Sequence, residues 1–156
     1  MIQLVKTSSE NKDFITLVKL LDQDLKTSDG ADYLFYKQFN KIDNIEYVIV
    51  AYSDGSSIGC GAIKPYNGNT MEVKRMFVKA EMRGQGIAGN ILKELENWAK
   101  TLGYTRTILE TGKKQPEALR LYEKSNYKII PNYGQYIGVI NSVCMIKKLD
   151  HSDEVC

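Results

Sequence analysis

The sequence predicts an α+β fold: an antiparallel meander of strands runs into a βαβ crossover, forming a mixed sheet with helices on both faces. Three strand-like segments, at 46–52, 58–64 and 70–78, follow one another, and Asn67-Gly68 between the last two is typical of a hairpin turn. A glycine-rich turn and an amphipathic helix then separate the third segment from a β-branched strand at 105–110. Two strands joined through a helix in this way pair in parallel, with a right-handed crossover.

The elements on either side of this pattern follow from hydrophobic period and capping residues. Apolar side chains at helical spacing from Phe14 predict a first helix that ends near Lys26, with Ser8 and Ser9 as candidate N-caps. Gly103 ends the helix that follows the glycine turn. The other predicted elements are a strand at 2–6, a shorter helix at 31–40, a helix beginning at Gln115-Pro116, a strand at 127–130, a loop at 131–141 and a last strand at 142–149.

Length and composition indicate one globular domain over residues 1–150, followed by a frayed tail at 151–156. Of the 156 residues, 43% are apolar and 26% are charged, as in ordinary globular proteins. The net charge of +2 is too balanced to indicate a nucleic-acid partner. No apolar run is long enough to cross a bilayer and the N-terminus lacks the pattern of a signal peptide, so a cytoplasmic protein without a membrane partner is expected.

The cysteines and the single histidine form no recognisable metal or nucleophile pattern. Cys60 and Cys144 lie in apolar, strand-like segments and are predicted to be buried thiols, whereas Cys156 is terminal. No two cysteines have the spacing of metal ligands, and His151 lies in the polar tail. We therefore expect no metal cofactor and no Cys–His catalytic pair.

The turn after the third strand is the most informative segment of the chain. Gly84, Gly86 and Gly89 lie where a strand gives way to a helix, so the backbone can approach a ligand closely and unpaired helix amides are available. The helix dipole adds a preference for negative charge at this end. Together these features predict a phosphate-binding turn.

Two other interpretations fit this turn less well. Residues 84–89 match the dinucleotide fingerprint G-x-G-x-x-G, and Glu110 ends the next strand, where an acid could meet a ribose hydroxyl. However, residues 79–83 separate the first glycine from its strand, and the segment follows a meander rather than opening a series of βαβ units. A helix start that merely carries glycines would cost about 1 kcal/mol for each glycine relative to alanine. It would also leave Arg83, beside the glycines, unexplained.

Written as Arg83-x-x-Gly86-x-Ala88, the turn resembles the acyl-CoA signature Q/R-x-x-G-x-G/A of the GNAT superfamily of N-acetyltransferases. Residues 118–127, ALRLYEKSNY, resemble a second signature of that superfamily, A-x-x-L-Y-E-K-x-G-F. The strand at 72–78 looks like its fourth strand, and the order of elements fits along nearly the whole chain. Three positions depart from the commonest pattern: Ala88 replaces glycine, Gln115 replaces a cofactor-contacting asparagine, and Asn126 replaces glycine.

The resemblance implies an acyltransferase that uses acetyl-CoA as cosubstrate, with no metal. Backbone amides and the arginine of the turn would hold the pyrophosphate, at Arg83, Gly84, Gln85, Gly86, Ile87, Ala88 and Gly89. In the family the fourth and fifth strands splay apart, and the pantetheine arm would pair with the backbone of Met76, Phe77 and Val78 as though it were another strand. Gln115 stands where many members make a further cofactor contact.

The same resemblance supplies candidate catalytic groups. Tyr122 matches the tyrosine that acts as general acid in the family, which would donate a proton to the departing thiolate. Glu72 lies where some members use a glutamate as base, directly or through water, but it could equally be a solvated charge that pairs with Lys74. A backbone amide of Met76 or of the next residue would stabilise the thioester oxygen. Strand alternation would place four side chains on one face, barring a bulge: Glu72, Lys74, Met76 and Val78.

The expected acceptor is an amine of a small molecule or peptide, and the sequence does not identify it. Its pocket would be formed by residues 25–40 and by the loop at 131–141, with walls built by Tyr33, Tyr36 and Tyr136, together with Tyr133. A non-catalytic acyl-CoA-binding module of the same fold is the alternative hypothesis, but Tyr122 argues against it because binding alone needs no acid. A homodimer is neither indicated nor excluded by the sequence.

Overall fold

The computed structural model describes residues 1–30, 33–34 and 44–149 of the chain. In these residues the strands are β1 (Ile2–Thr7), β2 (Tyr47–Ser53), β3 (Ser56–Asn67), β4 (Thr70–Val78), β5 (Arg106–Gly112), β6 (Lys128–Ile130) and β7 (Ser142–Lys148). The α-helices are α1 (Lys12–Asp29), α2 (Ile87–Thr101) and α3 (Pro116–Lys124). Single turns of 3-10 helix lie at Ala80–Met82 and Gly134–Tyr136.

The seven strands form one sheet in the order β1-β2-β3-β4-β5-β7-β6. Neighbouring strands are antiparallel except for β4 and β5, which are parallel and are connected through α2. The Asn67-Gly68 hairpin lies between β3 and β4, as predicted. The α+β fold predicted from the sequence, a meander followed by a βαβ crossover, is therefore confirmed.

An apolar cluster lies on each face of the sheet, and helices pack over both. On one face, α1 packs Phe14, Leu17 and Val18 against β2, β3 and Phe77 of β4. On the other face, the apolar stripe of α2 packs on the sheet, and Tyr122 of α3 joins the same cluster. Cys60 and Cys144 are both fully buried, as predicted.

The helix ends show where local prediction succeeded and where it failed. The N-cap of α1 is Asn11, whose Oδ1 accepts a hydrogen bond from the amide of Phe14 at 2.9 Å, so the prediction of Ser8 or Ser9 was wrong. The helix continues to Asp29 and meets Gly30 at φ 55°, one turn beyond the predicted end. Most of the shorter helix predicted at 31–40 lies outside the described residues.

A β-bulge in β4 changes which side chains face the two layers. Cys60 is paired with Phe77, but Ala62 is paired with Lys74, so β4 carries one extra residue between these pairs. Arg75 in this bulge has φ 61°, a left-handed conformation that is uncommon for a non-glycine residue. Val73 packs on the α2 face and Phe77 on the α1 face, which regular alternation would not allow. The expectation that Glu72, Lys74, Met76 and Val78 share a face is therefore wrong, since Met76 and Val78 pack with Val73.

β4 and β5 pair over only a short length and then separate. The pairs run from Thr70 with Arg106 to Glu72 with Ile108, and no further pair forms although β4 continues to Val78. β5 remains paired with β7 through Gly112, so β4 is the strand that diverges. The separation leaves an opening in the middle of the sheet, where backbone groups of β4 are available to a ligand.

Candidate active site

Two cavities meet where β4 and β5 separate. The larger, of about 760 Å³, extends between the end of β4, the glycine turn, the C-terminal half of α1 and helix α3. The smaller, of about 120 Å³, lies between β4 and β5 beside the β4 bulge. Both cavities are lined by the same six residues where they join: Leu21, Leu25, Met76, Gln115, Ala118 and Tyr122. A long ligand in the larger cavity could therefore present its end to a second molecule in the smaller one.

The glycine turn has the backbone geometry of an anion site. Gly84 and Gly86 have φ of 82° and 79°, and a Cβ on either would meet no atom within 4 Å. Glycine is thus required here by the left-handed backbone rather than by crowding, which refines the sequence-based argument. Gly86 is the N-cap of α2, and the first helical bond runs from the amide of Asn90 to the carbonyl of Gly86 at 3.1 Å. The amides at residues 87–89 precede that bond, so they can bind an anion.

Arg83 is fixed against the end of β4 rather than pointing freely into solvent. Its Nε donates to the carbonyl oxygen of Val78 at 2.8 Å, and its guanidinium lies 5.6 Å from the ring centre of Phe77. Its Nη2 donates to Asp24 of α1, also at 2.8 Å. These contacts hold a positive charge beside the turn, as the sequence predicted, and attach the turn to α1.

Three further cations on the α3 side line the larger cavity, and the sequence analysis missed them: Lys114, Arg120 and Lys124. Asp24 and Glu117 are the acidic residues among the described lining of this cavity. Together with Arg83, the cations outnumber the acids, which suits a ligand with several phosphates. Arg120 and Lys124 lie one turn apart on the helix that begins at Pro116, and Lys114 lies just before that helix; this spacing was the signal that could have revealed them.

The other predicted cofactor residues are mostly found at the larger cavity. Met76, Phe77 and Val78 line it, as do Ile87, Ala88 and Gly89, while Gln115 lines both cavities. Gln85 is exposed and does not line either cavity. The residues present fit a coenzyme A molecule on two observations: helix amides that precede the first helical bond, and an open stretch of β4 backbone beyond Glu72.

Tyr122 is buried at the junction of the two cavities. Its side chain is 6% exposed, and its ring lies edge-on to Tyr127 at 5.7 Å between centres. Among the described residues its hydroxyl has no hydrogen-bond partner. Burial, and secondarily the negative charge of Glu110, raise the pKa of Tyr122 well above its ordinary value, so the phenol stays protonated at neutral pH.

Glu72 is a buried carboxylate of the smaller cavity, not a solvated one. The residue is 6% exposed, and its Oε2 accepts a hydrogen bond from the hydroxyl of Tyr133 at 2.6 Å. Lys74 Nζ lies 4.0 Å from the other carboxylate oxygen, which is too long for a hydrogen bond. The alternative of a solvated charge is therefore wrong as to exposure, whereas the ion pair with Lys74 that it included is present. Burial lowers the pKa of Lys74, an effect that Glu72 partly offsets.

Of the tyrosines predicted to form the acceptor pocket, some lie at the smaller cavity and others do not. Tyr136 is buried and lines the smaller cavity, and its ring packs edge-on to Tyr133. Tyr133 acts through its hydrogen bond to Glu72. Tyr33 is half-buried and lines neither cavity, and Tyr36 lies outside the described residues. Glu110, Lys74 and Arg75 also line the smaller cavity, and the sequence had not indicated them as acceptor contacts.

Residues 14–127 match the model of the acetyltransferase (GNAT) family, which covers most of the chain. The chain belongs to the GNAT family of N-acetyltransferases. It is 37% identical over 89 residues to the IAA acetyltransferase of Azospirillum brasilense, covering 56% of this chain and 58% of that protein. The chain thus spans little more than half the length of that relative. It is 29% identical over 142 residues to an uncharacterised N-acetyltransferase of Schizosaccharomyces pombe, covering 85% of each.

Solved structures share the fold over the whole sheet of this GNAT chain. A Klebsiella pneumoniae protein assigned as an acyl-CoA N-acyltransferase superposes with a TM-score of 0.81 at 26% identity, covering 96% of this chain and 99% of that one. The PaiA N-acetyltransferase of Thermoplasma acidophilum, solved with coenzyme A, gives a TM-score of 0.71 at 22% identity, covering 95% and 99%. In the part of the chain that the structure describes, no helix is long and apolar enough to span a membrane. Over the same residues, no group of three His, Cys, Asp or Glu side chains forms a candidate metal site.

Proposed function

We propose that this protein transfers the acetyl group of acetyl-CoA to the amine of a small molecule or peptide. The observation that carries the proposal is the junction of the two cavities at Tyr122, with an anion site at one end and the buried Glu72 at the other. A donor with several phosphates suits the larger cavity, and a small acceptor suits the other. The Thermoplasma acidophilum neighbour, which shares the fold, was solved with coenzyme A, and this supports the choice of donor.

The cofactor-binding residues would be those of the larger cavity. The amides at residues 87–89 and the charge of Arg83 would bind the pyrophosphate, because they lie together at the start of α2. Lys114, Arg120 and Lys124 offer charge to the remaining phosphate. The unpaired stretch of β4, from Met76 to Val78, would align the pantetheine amides. Acetyl-CoA would supply an activated acyl group. The protein's own side chains would then remove a proton from the acceptor and donate one to the departing thiol.

Tyr122 is proposed as the general acid. Its raised pKa keeps the proton on the phenol at neutral pH, so the group is in its acid form, able to donate to the sulfur, when the thiol departs. Its hydroxyl has no hydrogen-bond partner among the described residues, so it is available to a ligand at the junction. A backbone amide of the β4 bulge region, at Met76 or Phe77, is proposed to stabilise the negative charge that develops on the acyl oxygen.

Glu72 is proposed as the group that removes the proton of the acceptor ammonium, directly or through water. An alkylammonium has an ordinary pKa of about 10.4, so at neutral pH it must lose a proton before it can attack. The hydrogen bond from Tyr133 fixes the carboxylate at 2.6 Å and leaves its second oxygen toward Lys74 and the cavity. Glu72 lies on the strand whose end would align the thioester, which places base and acyl group on one element.

The proposal is tested by thiol release across a panel of amines, with binding of acetyl-CoA measured separately by thermal shift and hydrogen exchange at residues 83–89. Turnover of at least one amine by the wild-type protein and its loss in Tyr122→Phe would support the enzyme. Binding of acetyl-CoA without turnover of any amine would favour the non-catalytic module instead. Failure to bind acetyl-CoA at all would overturn both.

A further inference from the structure

We propose that Tyr127 is a positioning residue for Tyr122, and that a buried group of three polar side chains holds Tyr127 in place: Glu96, Thr107 and Lys147. Tyr127 would fix the ring of Tyr122 and so keep its hydroxyl at the junction of the two cavities. This proposal rests on the role of general acid proposed above for Tyr122, and it adds what holds that acid in its orientation.

The C-terminal end of α3 joins Tyr122 to Tyr127 through the backbone. Asn126 follows the C-cap Ser125 and has φ 73°, a left-handed conformation. The amide of Tyr127 donates to the carbonyl of Tyr122 at 2.9 Å. The amide of Asn126 donates to the carbonyl of Glu123 at 3.1 Å. These two bonds form a Schellman motif, which is commonly completed by an apolar contact between the first donor and its acceptor residue. The edge-on contact of the two tyrosine rings, at 5.7 Å between centres, is that contact.

The hydroxyl of Tyr127 lies in a buried polar network that a Schellman motif does not require. It donates to Glu96 Oε2 at 2.9 Å, and the hydroxyl of Thr107 lies 2.8 Å from it. Glu96 Oε1 accepts a hydrogen bond from Lys147 Nζ, also at 2.8 Å. Tyr127, Glu96 and Thr107 are all at most 6% exposed. Burial, and secondarily the charge of Glu96, raise the pKa of Tyr127 well above its ordinary value, so the hydroxyl keeps its proton and remains the donor.

The network holds Tyr127 from three elements of the core. Glu96 lies on α2, whereas Thr107 and Lys147 are opposite one another on β5 and β7. Because α2, β5 and β7 pack in one apolar cluster, Tyr127 cannot turn without breaking hydrogen bonds of buried groups. Tyr122 is the one buried residue of α3, and its hydroxyl has no partner among the described residues. Packing therefore sets the orientation of the Tyr122 ring, and Tyr127 supplies an anchored surface for it.

A purely structural role accounts poorly for this arrangement. Phenylalanine would make the same contact with Tyr122 without burying a hydroxyl, and the signature that residues 118–127 resemble ends in phenylalanine. The ion pair of Glu96 with Lys147 is largely buried, and replacing such a pair by apolar residues is often neutral or stabilising. A satisfied buried network does fix one arrangement of its members. A general acid benefits from a fixed arrangement, since a displacement of about 1 Å can lower a rate by about a hundredfold.

The test is a double-mutant cycle between the two tyrosines. Tyr127→Phe keeps the ring and removes the hydroxyl, and we expect it to lower kcat about tenfold while KM for acetyl-CoA stays unchanged. In the Tyr122→Phe background the same substitution should lower kcat by less than about twofold, because the hydroxyl that it positions is already absent. An equal loss in both backgrounds would show a general structural effect and overturn the proposal. An unchanged kcat in Tyr127→Phe alone would overturn it as well.

A second variant and a matched control accompany the cycle. Thr107→Val removes one hydrogen bond to Tyr127 with little change of shape, and it should lower kcat about threefold. Tyr52→Phe is the control, because Tyr52 also donates to a carboxylate, that of Asp13 at 2.6 Å, but packs on the α1 face and lines neither cavity. Its kcat should equal that of the wild type. A loss in Tyr52→Phe as large as that in Tyr127→Phe would overturn the proposal.

Ring flips of Tyr122 report its positioning without turnover. NMR of protein labelled with 13C in the tyrosine rings measures the flip rate, which we expect to rise at least about threefold in Tyr127→Phe and in Thr107→Val. Tyr52→Phe should leave the rate unchanged. If Tyr122→Phe retains full kcat, or if no amine is acetylated, the proposed function fails while faster flips still support the positioning. A wild-type flip rate in both variants would overturn the positioning, whatever the activity.

Discussion

Asp24 of α1 accepts a 2.8 Å hydrogen bond from the guanidinium of Arg83, 59 residues away in the sequence. The contact joins the helix that covers the cavities to the turn where the proposed anion site begins. Asp22, two residues earlier on α1, forms an ion pair with Arg75 at the β4 bulge. The two ion pairs therefore attach one helix to both the proposed cofactor end and the proposed acceptor end of the site.

We expect Asp24→Asn to bind acetyl-CoA about two- to fivefold more tightly at low salt. The substitution removes a negative charge from the cavity that would hold the phosphates and releases Arg83, and an exposed ion pair is worth at most about 1 kcal/mol. Calorimetric titration at two salt concentrations checks this, since the gain should shrink as salt screens the charges. Asp54→Asn, at an exposed site near the N-terminus, is the control. Weaker binding by Asp24→Asn would mean that the ion pair organises the turn instead.

Tyr122→Phe is expected to lower kcat by at least about a hundredfold, the usual contribution of a positioned acid. KM for acetyl-CoA should change little, because the aromatic ring that lines both cavities is retained. The melting temperature should also be nearly unchanged, since the hydroxyl has no partner among the described residues. Steady-state kinetics and thermal unfolding provide the measurements.

Tyr47→Phe is the matched control for that substitution. Tyr47 of β2 packs against Trp98 of α2 and lines neither cavity. Its kcat should equal that of the wild type. An equally large loss in both variants would show that the effect of Tyr122→Phe is not specific to an acid at the junction.

Gly86→Ala and Gly89→Ala form a second matched pair. Gly86 has φ 79°, so a side chain there is expected to cost about 1–2 kcal/mol of stability, and distortion of the turn should weaken acetyl-CoA binding. Gly89 lies in the helix, where a Cβ would meet only the Cδ1 of Leu121, at 4.0 Å. Alanine there should be neutral or stabilise by up to about 1 kcal/mol. Urea unfolding and acetyl-CoA titration of both variants test this, and equal stabilities would contradict the assigned backbone.

The alkaline limit of stability should be set by buried phenols. Burial raises the pKa of Tyr52 and, by more, that of four further tyrosines: Tyr122, Tyr127, Tyr133 and Tyr136. Because their folded pKa values lie above the unfolded value of about 10, the stabilisation that they provide is complete below that pH and is lost as the pH rises further. Each of the four further groups should reduce the free energy of unfolding by about 1.4 kcal/mol per pH unit in that range.

Absorbance at 295 nm follows tyrosine ionisation directly. In the folded protein, these four of the ten tyrosines should remain protonated near pH 10.5 and ionise only as circular dichroism reports unfolding. In guanidinium chloride all ten should ionise together near pH 10. A single transition of all ten tyrosines in a chain that is still folded would contradict the burial of these rings.

Cys60 extends the same argument to a thiol. Burial raises its pKa to about 12, so at pH 8 it should remain a thiol and resist alkylation in the folded protein. Mass spectrometry after a timed iodoacetamide pulse should find Cys60 unmodified in the native protein and modified in denaturant. Rapid native alkylation of Cys60 would show that β3 opens more easily than its packing indicates.

Much of the fold could be read from the sequence because its signals are local. The 3.6-residue stripe of α2, the Asn67-Gly68 hairpin and the proline that begins α3 each depend on neighbours within a few residues. The sequence also indicated that glycine matters at positions 84 and 86, for close approach of a ligand. In the structure the reason is the left-handed backbone at both positions. Local competition misled the prediction at the start of α1, where Asn11 is the cap in place of two nearby serines.

Short-range spacing and residue type were enough to predict the order of the elements, the glycine turn that we propose binds an anion, and the position of Tyr122 on its helix. The tertiary structure alone decided what surrounds the proposed chemistry. The β4 bulge turns Arg75 toward α1, Tyr133 reaches Glu72 across 61 residues, and Asp24 reaches Arg83 across 59. Such contacts depend on strand register and on how a helix lies over the sheet. Both are fixed by packing of the whole domain, and no local pattern encodes them.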